Sequence, residues 1–131
     1  MTVHPRLPLI IYGDFNCPFS ALASARARHL EREGLAEVDW RSVKHVPDIP
    51  AGGHPVVGTR RDELQRGLDQ VRSLLTGGEP DRLTLPIRLA NTRLAVLAYA
   101  NAPRTERQEV RERLFDAYWT KGRGPDRPDN A

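Results

Sequence analysis

Cys17 is the only cysteine of the 131-residue chain, and it stands in the segment Asp14-Phe15-Asn16-Cys17-Pro18-Phe19-Ser20. Proline has no N–H to lose and a φ already suited to the first helical turn. The segment therefore predicts a helix beginning at Pro18, with Cys17 at or beside its N-cap. Unpaired N–H groups and the positive end of the helix dipole gather there and favour a thiolate, the reactive form of cysteine. Ser20 follows about one helical turn later, where its hydroxyl can donate a hydrogen bond to that sulfur. Cys17 and Ser20 are thus the candidate catalytic residues. A full dithiol cycle needs a second thiol to resolve a mixed disulfide, and serine cannot supply one. A lone thiol can still attack a disulfide and be released by a thiol from solution. The other reading of Cys17 is an inert small hydrophobe.

The neighbours of this pair carry less chemistry. Asp14 and Asn16 flank the turn; Asp14 shapes it as a turn or cap residue, or acts as a weak proton relay. Phe19 packs at the helix start or lines a substrate groove. His45 follows the second expected strand, at the sheet edge that also carries Cys17, where α/β sheets bind ligands. It is a base for Cys17 or a solvated loop histidine. His4, His29, His45 and His54 include no pair at metal-ligand spacing on one helix, so no metal site is expected. One cysteine also excludes an internal disulfide and a multi-cysteine zinc site.

The elements that must position Cys17 are legible around it. Residues 7–15 are rich in Leu and Ile with little alternation, as in a parallel strand buried on both faces. Residues 18–33 carry Phe19, Leu22, Ala23, Ala27 and Leu30 at helical spacing, and Gly34 is a natural stop. Residues 36–43 alternate apolar and polar, as a strand with one wetter face. Strand, helix and strand make a βαβ unit over residues 7–43, with a right-handed crossover.

A loop rich in proline and glycine follows from Lys44 to Thr59. Leu64, Leu68, Val71, Leu74 and Leu75 then mark a helix over 61–75, closed by Gly77-Gly78. Asn91 or Thr92 caps a third helix that ends before Pro103, and Thr105 caps a fourth carrying Val110, Leu114, Phe115 and Tyr118. Residues 122–131 read as a flexible tail. No third strand is expected. Two strands alone make a poor sheet, so one edge stays open unless a helix, a second copy or another chain covers it.

Composition sets the class. Hydrophobic residues are 39%, charged residues 28% and aromatics 6%, which suits one globular domain with an aliphatic core. All but two of the 20 basic residues are arginine, mostly interleaved with acids, and the net charge is +3. Such patterns mark solvated helix faces rather than a nucleic-acid surface. No stretch approaches the length of a membrane span and no signal peptide is visible, so a cytoplasmic protein is expected.

The segment from Asp14 to Ser20 at a strand-to-helix turn resembles the thioredoxin fold, and most closely its DsbA-like branch. That branch includes FrnE-type oxidoreductases, kappa-class glutathione transferases and 2-hydroxychromene-2-carboxylate isomerases. Leu89-Ala90-Asn91-Thr92-Arg93-Leu94-Ala95 resembles the branch's helical-insert segment. Leu114-Phe115-Asp116-Ala117-Tyr118-Trp119-Thr120-Lys121-Gly122-Arg123 resembles a later stretch of the same insert. The resemblance covers roughly residues 7–125. It implies an α/β, thioredoxin-like βαβ unit followed by a helical insert over 59–121, lacking the C-terminal ββα part with its cis-proline loop. It implies one incomplete domain over 1–121. It further implies thiol–disulfide oxidoreduction at a monothiol site, no resident cofactor, and glutathione as a cosubstrate. Pro18, Phe19, Asn91 and Thr92 would line the substrate cleft. A glutathione-dependent isomerase or transferase using Ser20, and an inactive assembly module pairing through the open edge as a homodimer or with a partner chain, are the alternatives.

Overall fold

The computed structural model describes residues 5–46 and 48–120. His4, Pro47 and the expected tail at 122–131 lie outside those residues.

Two parallel strands form the main sheet: β1, Leu7–Gly13, and β2, Ala36–Ser42, paired from Leu7↔Ala36 to Gly13↔Ser42. The helix α1, Pro18–Arg32, connects them, so the expected βαβ unit is present. Gly34 ends α1 with φ +71, a conformation that side-chain-bearing residues rarely adopt. Its N–H bonds the Glu31 carbonyl and the Leu35 N–H bonds the Leu30 carbonyl, closing the last turn before β2.

The helical insert follows. α2 spans Gly58–Leu74, α3 Arg93–Asn101 and α4 Arg107–Phe115, and one π-helical turn, Asp116–Thr120, continues α4. The fourth helix begins later than its sequence suggests: Glu106, not Thr105, is its N-cap, and no side-chain cap bond forms. The expectation of no third strand also needs correction. His54–Pro55 (β3) and Arg88–Leu89 (β4) form a two-residue antiparallel pair that closes the long loop against the stretch before α3. Such short pairs leave no periodic signal in a sequence.

The core lies on one face of the sheet. Leu9, Ile11 and Gly13 of β1 share that face with their register partners Val38, Trp40 and Ser42. Over it sit Phe15, Tyr99, Phe115, Tyr118 and Trp119, all buried. Phe15 lies 4.9 Å from Phe115 and 6.3 Å from Tyr99 between ring centroids, and Trp40 meets Phe115 edge-on at 5.6 Å. Aromatic pairs at these separations add to the energy of area burial. The expected aliphatic core is therefore an aromatic one at its centre: the few aromatics are concentrated where the insert meets the βαβ unit.

The opposite face corrects the reading of β1 as buried on both sides. Ile10 is 57% exposed and Tyr12 62% exposed. No element among the described residues covers them. Leu7 donates its N–H to Leu35, and the Gly13 carbonyl accepts from Val43. Residues 7, 9, 11 and 13 thus direct their backbone groups toward β2, and Pro8, Ile10 and Tyr12 direct theirs to the free edge. A proline fits there because that edge asks it for no donor.

A buried arginine fastens the layers together. Arg111 of α4 donates Nε to Ser24 Oγ at 3.0 Å and Nη2 to Glu31 at 3.0 Å, both on α1, and its guanidinium lies 5.4 Å from the centre of the Trp40 ring.

Candidate active site

The turn from β1 into α1 is built from three buried residues and then one presented residue. Asp14, Phe15 and Asn16 are each 2% exposed or less, whereas the Cys17 sulfhydryl is free and only half-buried. Cys17 is the N-cap of α1, in extended geometry, with Pro18 in the first turn. Its N–H bonds the Asp14 carbonyl at 3.2 Å, and its own carbonyl accepts the Ala21 N–H.

Two expectations about the sulfur change at this point. Cys17 makes no side-chain cap hydrogen bond, so the helix N–H groups do not bond the sulfur. Ser20 Oγ accepts the Asp14 N–H at 3.2 Å across the turn. Ser20 therefore ties the strand end to the helix, and its own proton remains available to a neighbour.

Asp14 is the residue that sequence reasoning undervalued. Its carbonyl holds Cys17 and its N–H holds Ser20. Its carboxylate Oδ2 accepts the His45 backbone N–H at 3.0 Å and meets His45 Nδ1 at 2.8 Å. The carboxylate is buried, while the imidazole is 46% exposed. Asp14 Oδ1 and Asn16 Oδ1 are buried without partners among the described residues. The signal was available in part: both Asp14 and His45 stand at carboxyl ends of strands, and a parallel register brings such ends together.

The insert supports the turn from behind. Asn16 Nδ2 donates to the Ala90 carbonyl at 2.9 Å, and Trp119 Nε1 donates to the Phe15 carbonyl at 2.9 Å. Tyr118 donates its hydroxyl to the Arg88 carbonyl and accepts the Ala90 N–H. The segment around Trp119 thus props the turn that carries Cys17.

The four residues read from sequence as substrate contacts are placed differently from one another. Pro18 is buried, near Gly67 of α2. Phe19 is 42% exposed, so it lies at the surface beside Cys17 rather than in the core. Asn91 donates to the Ile49 carbonyl at 2.7 Å and accepts the Arg93 N–H at 2.9 Å, which makes it a tie and a cap at the start of α3. Thr92, the N-cap of α3, is buried and shows no surface to a ligand. A cleft of about 780 Å³ lies between α1, the end of α2 and the π-helical turn, and Cys17 does not line it. The described residues contain no cluster of His, Cys, Asp and Glu able to hold a metal ion.

A family model for the DSBA-like thioredoxin domain matches residues 8–131. The chain belongs to the DSBA-like thioredoxin domain family. Its βαβ unit and helical insert are the α/β architecture of that family, partial on the C-terminal side among the described residues. A solved structure of 2-hydroxychromene-2-carboxylate isomerase (HCCA isomerase) is similar to this DSBA-like chain with a TM-score of 0.63 and 22% identity. The similarity covers 92% of this chain and 60% of the isomerase chain, so the chain spans less than two thirds of that relative's length. At this identity the likeness concerns the fold. No match was found among curated proteins. Among the described residues no helix is long and apolar enough to cross a membrane.

Proposed function

We propose that the chain carries the thiol half of a cytoplasmic, DsbA-family thiol–disulfide oxidoreductase site, with Cys17 as nucleophile. The observation that carries this reading is the presentation of Cys17. A half-buried free thiol stands at the N-cap of α1, at the carboxyl edge of a parallel sheet, on a turn whose other residues are buried and bonded. A rigid support beneath a reachable sulfur is what a nucleophile needs. Ser20 holds the turn beneath the sulfur by accepting the Asp14 N–H. Phe19 and Asn91 provide the nearby surface for a disulfide substrate or for glutathione, which serves as the releasing thiol; no resident cofactor is required. Reduction of a glutathione mixed disulfide on a small peptide, with added glutathione, tests this directly. Cys17→Ala should abolish turnover, and Ser20→Ala should slow it by about tenfold or less, as expected for one neutral hydrogen bond. Turnover that survives Cys17→Ala would refute the reading.

The isomerase or transferase reading makes the opposite demand: loss of Ser20 stops glutathione-dependent turnover and loss of Cys17 is tolerated. The assembly reading rests on the free edge of β1 and on the exposed Ile10 and Tyr12. It demands that a second copy of the chain or a partner chain cover that edge.

A further inference from the structure

Asp14 is bonded to Cys17, to Ser20 and to His45. It accepts the Cys17 N–H, donates to Ser20, and grips His45 twice. The grip on His45 is specific in its chemistry. A buried carboxylate facing Nδ1 at 2.8 Å selects the tautomer with the proton on Nδ1, which leaves the lone pair on Nε2. Nε2 makes no hydrogen bond among the described residues, and the ring is half exposed at the sheet edge that carries Cys17. The backbone bond from His45 N–H to the same carboxylate fixes the residue as well as the ring. A solvated loop histidine needs neither contact.

We propose that His45 is the proton acceptor for Cys17 and that Asp14 is its positioning residue. The inference rests on the reading of Cys17 as the nucleophile. The proton of the Cys17 thiol passes to His45 Nε2. This leaves a thiolate beside an imidazolium whose second N–H is held by Asp14. The thiolate then attacks one sulfur of an organic disulfide. A bond forms between Cys17 sulfur and that sulfur while the disulfide bond breaks, so Cys17 is oxidised to a mixed disulfide and the departing half is reduced to a thiolate. That leaving thiolate takes the proton from Nε2. A low-molecular-weight thiol releases Cys17 by the same exchange in reverse.

Alkylation of Cys17 by iodoacetate and by iodoacetamide distinguishes this role from a purely structural one. The two reagents differ mainly in charge. An imidazolium beside the sulfur favours the anion, whereas a change in access alters both rates together. The ratio of the two rates should exceed that of free glutathione. It should fall severalfold in His45→Gln, as expected when a nearby cation in watery surroundings is removed. Asp14→Asn should lower the ratio in the same direction, because the ring is no longer held. His45→Lys restores a cation and should raise the ratio above that of His45→Gln, which also covers the case of a poorly folded glutamine variant. Lys44 is the adjacent cation in the loop, and Lys44→Gln should leave the ratio near wild type. An unchanged ratio in His45→Gln, or an equal fall in Lys44→Gln, overturns the proposal. A chain that shows the His45-dependent ratio but turns over no disulfide refutes the oxidoreductase reading and leaves this pairing intact.

Discussion

Gly13 and Asn16 show how little room the Cys17 turn has. A Cβ on Gly13 would sit 2.6 Å from Trp40 Cζ2 and 3.0 Å from Ser20 Oγ. Trp40 is buried and cannot swing away, so Gly13→Ala should destabilise the fold by roughly 1–3 kcal/mol, the usual cost of overpacking. A denaturant melt measures it. Asn16→Ala removes the donor to the Ala90 carbonyl and leaves that carbonyl buried and unpaired. A loss of about 1–3 kcal/mol is expected. Because Asn16 adjoins Cys17, the alkylation rate of Cys17 should change in the same variant. The sequence marked Cys17, Pro18 and Ser20 as a unit. It gave no hint that the Asp14 carboxylate is buried, because burial of a turn residue depends on what lies beneath the turn.

Charged side chains tie α1 to its neighbours, and Arg111 and Arg26 make the most contacts. Arg111 joins α4 to α1 through Ser24 and Glu31. Arg111→Ala leaves the partly buried Glu31 carboxylate without its partner and strips the cover over Trp40, and should cost on the order of 2–3 kcal/mol. Arg111→Lys keeps the charge but not the two-pronged fork, and should lie between the two in a thermal melt. Arg26 of α1 reaches Glu79 beyond α2 at 2.9 Å and also holds the Leu74 carbonyl. The Arg26 hydrogen bond, helped by Thr76, lowers the Glu79 pKa from its usual 4.5 to about 2. A lowered folded pKa stabilises the fold fully above the unfolded value and loses that contribution as pH falls through the folded one. The stability gap between the wild type and Glu79→Gln should therefore be full at neutral pH, shrink below about 4.5 and vanish near 2. A gap that persists below that range would contradict the assignment. The interleaved arginines signalled solvated pairs, and Glu79 with Arg26 fits that pattern. Arg111 broke it, since nothing in the local spacing separates a buried arginine from an exposed one.

At the scale of the whole molecule, the outer edge of β1 and one sheet face remain without cover among the described residues. Pro8, Ile10 and Tyr12 turn their backbone groups outward, and Ile10 and Tyr12 expose their side chains. If a second copy covers this surface, sedimentation should report twice the 14.7 kDa chain mass, and Ile10→Lys should return it to a monomer. A monomeric wild type would remove the homodimer form of the assembly reading. The sequence by itself determined the βαβ unit, the order of the helices, the N-cap position of Cys17 and the family. These follow from local spacing, proline and glycine punctuation and three short motifs. Only the tertiary structure decided which face of β1 is wet, that the long loop closes through β3 and β4, and that Trp119 and Asn16 brace the turn. It alone brought the Asp14 carboxylate against His45, 31 residues away. Parallel pairing places the ends of two distant strands side by side, and no pattern within either strand shows which side chains meet there.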